Sequence, residues 1–184
     1  MENLETQKSP ERKEKPPFLY HGSPHKTEEL QPRTKPHREK NEGKLVFATS
    51  EIADASMFLC KTSLTGHALV NGEKVAYAII AEDREEFLKK DKGGHIHVLP
   101  SDTFNPSPHS GMSNEWVSQE GVKPSKIIEY SSALDAMLEF GVQVYFVDEN
   151  TYQQIRSSKD FGYSIFQSLQ SENQKRGINV REFQ

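Results

Sequence analysis

The sequence predicts an α+β domain, strand-rich in its middle and helical towards its end. Three observations carry this. Short apolar runs with β-branched and aromatic members recur from Phe18 to Val147, bounded by Gly, Pro, Ser and Asn. Two longer stretches, after Ser50 and after Ser132, instead show helical spacing with a polar start. The length of 184 residues, with 34% hydrophobic and 27% charged, suits one domain with a real core.

Residues 1–16 are charged and polar and bury too little apolar surface to offset their ordering entropy, so they read as a disordered tail before a single domain over 17–184. Phe18 to His21 is the first strand, stopped by Gly22 and Ser23, and the polar stretch Pro24 to Gly43 is a loop or lid. Lys44 to Ala48 is a compact strand. Thr49 or Ser50 can cap a helix over Glu51–Lys61, with Ile52, Ala55, Phe58 and Leu59 on one face. Strands are expected at Lys74–Ala81 and His95–Leu99, then a loop from Ser101 to Ser113. Asn114–Val117 and Lys126–Tyr130 are further strands. Ser132 and Asp135 start a helix buried through Leu134, Met137 and Leu138 and ended by Gly141. A strand at Val142–Val147 and helices near Asn150–Ser158 and Tyr163–Lys175 complete the chain.

Composition excludes several classes. A single cysteine, Cys60, rules out an internal disulfide, and its apolar neighbours Phe58 and Leu59 mark it for packing. The formal net charge of −4 advertises no nucleic-acid footprint over the whole chain. No apolar run approaches the roughly 20 residues of a membrane helix, and the N-terminus has no apolar signal-peptide core. The expected location is therefore cytoplasmic, or that of an exported effector without a recognisable signal peptide. His95-x-His97 lacks a third ligand nearby, so no metal is expected and both read as surface histidines.

The chemistry concentrates in three segments. In Tyr20-His21-Gly22-Ser23 a strand-end imidazole stands beside a bare backbone that a planar ligand can approach. In Gly43-Lys44-Leu45-Val46-Phe47-Ala48-Thr49 a strand runs into a helix start, with Phe58 following. In Asn114-Glu115-Trp116-Val117, with Val122 and Pro124 downstream, a carboxylate sits in an otherwise apolar strand, a costly choice unless it is solvated or used.

In this order the segments resemble the histidine-first branch of the ADP-ribosyltransferase superfamily, shared by diphtheria toxin and the poly(ADP-ribose) polymerases. The resemblance covers roughly Phe18 to Tyr130. It implies a split, twisted β-sheet core with peripheral helices. It also implies a mono-ADP-ribosyltransferase that consumes NAD, releases nicotinamide and modifies a protein or nucleic-acid target. An immunity or regulatory protein is a further partner such an effector would have. By resemblance His21 binds the adenosine ribose, the Gly22 backbone holds the nicotinamide amide and Ser23 assists. Phe47 and Phe58 line the nicotinamide, Thr49 is a further cofactor-binding residue, and Glu115 and His21 are the catalytic pair.

The pattern departs at Val46, where the branch carries a tyrosine that stacks on nicotinamide; Phe58 is the substitute that the spacing offers. Ser113 stands where arginine-modifying relatives carry Glu or Gln, which disfavours arginine as acceptor. Two other readings stay open. One is an RNA 2′-phosphotransferase of the same fold, using Lys26, Arg33, Lys35, Arg38 and Lys40. The other is a degenerate member that binds ADP-ribose, NAD or a protein without turnover.

Overall fold

The structure is a computed structural model that describes residues 14–34, 43–70, 73–107, 114–159, 164–165 and 167–168. The expected tail lies outside the described residues as far as residue 13. The expected helix Tyr163–Lys175 lies outside them apart from 164, 165, 167 and 168.

The domain is α+β, with its strands divided between two sheets. The larger has six strands in the order β6-β7-β2-β1-β5-β8, every neighbouring pair antiparallel. They are β1 (Phe18–Ser23), β2 (Val46–Thr49), β5 (Gly94–Pro100), β6 (Asn105–Pro106), β7 (Glu115–Ser118) and β8 (Lys126–Tyr130). The smaller sheet runs β3 (Leu64–Val70), β4 (Glu73–Ile80) and β9 (Gln143–Phe146), with β9 parallel to β4. The helices are α1 (Ile52–Ser56), α2 (Arg84–Lys90), α3 (Ala133–Glu139) and α4 (Glu149–Ser157). Among the described residues no helix is long and apolar enough to cross a membrane.

Period-two alternation assigns each face of the large sheet. Val46 and Ala48 of β2 pack with Leu19, Leu99, Phe104 and Trp116 on one face. On the other, Ala55 and Leu59 meet Ile96 of β5 and Ala133 and Ala136 of α3. Leu134 and Met137 of α3 belong instead to a cluster with Ala76 and Ala78 of β4 and Val144 of β9. Both flanks of α3 are therefore buried, one towards each sheet. Ser132 caps this helix by accepting the Asp135 amide at 3.0 Å, and Gly141 ends it at φ 76°, a left-handed turn that glycine adopts without strain.

Several expectations need correction. The helix after Ser50 is a single turn that stops at Ser56, because Met57 and Leu59 turn into the two cores while Phe58 faces outward at 49% exposure. Neither Thr49 nor Ser50 is its cap; the N-cap is Glu51. The segment after Pro24 is not simply a polar loop. Leu30 is buried and bridged to Val122, and Arg33 is bridged to Leu45 through reciprocal backbone bonds of 3.0 and 3.1 Å. The loop after Ser101 contains the short edge strand β6. Strand β3 and helix α2 fall where no element was expected.

Candidate active site

The three sequence segments come together on neighbouring strands. β1 carries His21, β2 carries Phe47 and Thr49, and β7 opens with Glu115. A cleft of about 400 Å³ is lined by His21, Gly22, Ser23, Phe47, Thr49, Phe58 and Glu115, with Arg33 from the bridged segment. That volume falls in the usual range for small-molecule sites, about 300–1,000 Å³.

The cleft lies where β1 and β2 are least tied. β1 is in register with β5 over its whole length, from Phe18↔Pro100 to Ser23↔His95, but with β2 only at Tyr20↔Thr49. Past that pair the His21 ring takes over: its Nδ1 lies 2.7 Å from the Phe47 carbonyl oxygen. A carbonyl only accepts, so Nδ1 carries the hydrogen and the ring orientation is fixed.

His97, expected at the surface, is fully buried behind His21. The two rings meet edge-on with centroids 5.9 Å apart. His97 Nδ1 donates to the His21 carbonyl at 3.2 Å, and its Nε2 accepts the Thr27 amide at 3.1 Å. That pair of bonds requires the neutral Nδ1–H tautomer. Burial, partly offset by the bond to His21 and reinforced by His95, holds its pKa below the ordinary histidine value. His97 therefore supports His21 and belongs to the core.

Gly22 lacks a side chain for a reason the sequence reading did not foresee. A Cβ there would lie 1.8 Å from the Ala55 carbonyl oxygen and 3.2 Å from Leu59 Cδ1. The glycine lets α1 sit directly on β1, and the close approach is made by the protein's own backbone. Ser23 Oγ accepts the His25 amide at 3.1 Å and shapes the turn out of the strand.

Val46 is 3% exposed and packs in the core with Leu19 and Trp116. Its side chain is a core group, whereas Phe47 beside it is half-buried and Phe58 lies open at the cleft. Glu115 is half-buried at the cleft and opposite Thr49 across the β2–β7 ladder. The Thr49 hydroxyl is committed within the protein. It donates to Asp54 Oδ2 at 3.3 Å and accepts the Glu51 amide at 3.1 Å.

Asp54 is the polar residue that sequence reasoning missed, together with its pairing to Asn114. Both residues are buried, and the Asn114 side-chain amide donates to Asp54 Oδ2. The signal available was weak: Asp54 is one acidic residue in a short amphipathic turn. Cys60 is half-buried against two core clusters, and burial, with Asp91 nearby, pushes its thiol up to about 12. It stays protonated and inert. Among the described residues no three His, Cys, Asp or Glu side chains gather as a metal site would require.

The chain matches no protein-family model, no curated protein and no solved structure. The cleft offers the oriented His21 imidazole, the Asp54 and Glu115 carboxylates, the Tyr20, Phe47 and Phe58 rings and the Arg33 guanidinium around one apolar hollow.

Proposed function

We propose that this chain is an NAD-dependent mono-ADP-ribosyltransferase, transferring ADP-ribose to a protein or nucleic-acid acceptor. The observation that carries the reading is that His21 and Glu115, far apart in sequence, line one cleft together with Phe47 and Phe58. In the reaction the bond between ribose C1′ and the nicotinamide nitrogen breaks, and its electron pair leaves with neutral nicotinamide. An acceptor lone pair then bonds to C1′, and the acceptor's proton is lost. Positive charge develops on the ribose as the bond opens, and the fixed Glu115 carboxylate stabilises it. His21 is held to bind the adenosine ribose, and Phe58 stacks on the leaving nicotinamide, a task Val46 in the core does not perform. Among the described lining residues Arg33 is the only Arg or Lys, and its backbone is pinned to Leu45. Its exposed guanidinium suits the NAD diphosphate.

The buried Val46 favours one second reading, a module that binds NAD or ADP-ribose without turnover. For the phosphotransferase reading, Lys26 is described and does not line the cleft. Of that reading's five basic residues only Arg33 is a described lining residue, and Lys35, Arg38 and Lys40 lie outside the described residues.

Incubation with NAD labelled in the nicotinamide ring tests the proposal. Release of free nicotinamide with labelling of an acceptor, or of the protein itself, is expected. Binding without release would leave the module reading standing, and neither binding nor release would overturn both.

A further inference from the structure

We propose that Asp54 is a positioning residue for Glu115, acting through Asn114 and Thr49; this rests on the transferase reading above. Asp54 is 2% exposed, yet it is a carboxylate. Its Oδ2 accepts the Asn114 side-chain amide and the Thr49 hydroxyl. Its Oδ1 lies 2.8 Å from His67 Nε2, off the axis of an aligned hydrogen bond.

The partners identify the role. Asn114 immediately precedes Glu115, and its carbonyl also accepts the Ser50 amide at 3.1 Å. Thr49 is the residue directly across the ladder from Glu115. The neighbours before and opposite Glu115 are thus tied to a single carboxylate, at the strand end where the β2–β7 ladder gives way to the cleft. His67 comes from β3, so the same group also meets the smaller sheet. A buried carboxylate is a poor device for stability, because removing its charge from water costs more than a well-packed apolar side chain would. It is a better device for geometry, since hydrogen bonds to a carboxylate are roughly twice as strong as neutral ones.

The test exchanges donor and acceptor. Asn114→Asp sets two carboxylates against each other. It should lower the turnover number for nicotinamide release about tenfold or more while leaving the NAD dissociation constant within about threefold. Adding Asp54→Asn restores an amide–carboxylate pair with the roles reversed and should return turnover to within about threefold of the parent. A double variant no better than Asn114→Asp overturns the proposal. So does a fall in turnover matched by an equal loss of NAD affinity. Should Asn114→Asp not fold, Asn114→Ser removes the amide without adding charge. The same fall in turnover is then expected, and unchanged turnover overturns the proposal. If the parent releases no nicotinamide, the transferase reading has failed on its own. The carbon-13 carboxyl resonance of Glu115 then decides the positioning: it must move in Asn114→Asp and return in the double variant, and an unmoved resonance refutes it.

Discussion

Thr49 and Glu115 stand directly opposite each other, one closing β2 and the other opening β7. Opposed residues in an antiparallel ladder point to the same face, with Cβ atoms about 4.5–5.5 Å apart. Glu115 therefore reaches the cleft from a paired backbone, and its direction is set by the sheet. Glu115→Gln keeps that backbone and the side chain's size but removes the charge. Nicotinamide release should fall by about 10²–10³-fold, the scale for losing one preorganised electrostatic group. NAD affinity should change by less than about fivefold, because in the proposed reaction the charge on the ribose exists only in the transition state. Single-turnover kinetics beside calorimetric NAD titration measures both.

Phe58 and Val46 should separate cleanly under substitution. Phe58 is half exposed at the cleft, so Phe58→Ala should raise the NAD dissociation constant about tenfold and barely move the unfolding midpoint. Val46→Tyr, which places a tyrosine where the family that the sequence resembles carries one, should not improve binding. It forces a larger ring among Leu19, Leu99 and Trp116 and should cost about 1–3 kcal/mol. Urea denaturation of both variants alongside NAD titration would expose the opposite result.

Gly22→Ala should be among the most damaging single-methyl changes in the chain. The added Cβ meets the backbone oxygen of Ala55, which has no rotamer by which to yield, so α1 must move off β1. A loss of about 3 kcal/mol or more is expected from this overpacking. An alanine variant with a parent-like urea midpoint would mean that α1 is not seated on the strand.

Acid should weaken the fold in two separate windows. His97 titrates below its ordinary value when folded, so the unfolded chain, with a histidine pKa of about 6.5, takes up a proton first. Stability should fall as pH drops through about 6.5 and level off below the folded value. His97→Gln should remove that slope.

Asp91 gives the second window. Burial alone would raise its carboxyl, but bonds from the Ala133, Gly93 and Leu134 amides and the Ser132 hydroxyl outweigh this and hold it below the usual value. Its contribution is complete above the unfolded aspartate pKa of about 3.9 and is lost as pH falls through the lower folded value. Asp91→Asn should therefore differ from the parent at pH 5 and converge with it at strongly acid pH. Unfolding midpoints followed from pH 7.5 to pH 2 in the two variants and the parent test both windows.

What the sequence disclosed was which polar side chains would meet at one cleft. His21 and Glu115 were legible because an imidazole before glycine and a carboxylate among apolar residues are locally unusual. The start of α3 was legible for a similar reason, since its cap and its stop are written within a few residues. Asp54 was not, because its role depends on Asn114 and His67, which only folding brings near. His97 misled because alternation fixes the face of a side chain and not what covers that face. β3 was missed although Asn71-Gly72, a strong hairpin signal, follows it; Gly66 and His67 interrupt its apolar alternation. α2 was missed because it buries only Phe87 and so shows no stripe, though Asp83 caps it through the Glu85 and Glu86 amides.

The two-flanked burial of α3 has a bearing on how the domain comes apart. Ala133 and Ala136 serve the large sheet while Leu134 and Met137 serve the small one, within a single stretch of seven residues. Neither sheet can release this helix without stripping apolar cover from the other. Amides on β4 and β5, which share no ladder, should accordingly exchange with deuterium at the same global free energy, as members of one cooperative unit.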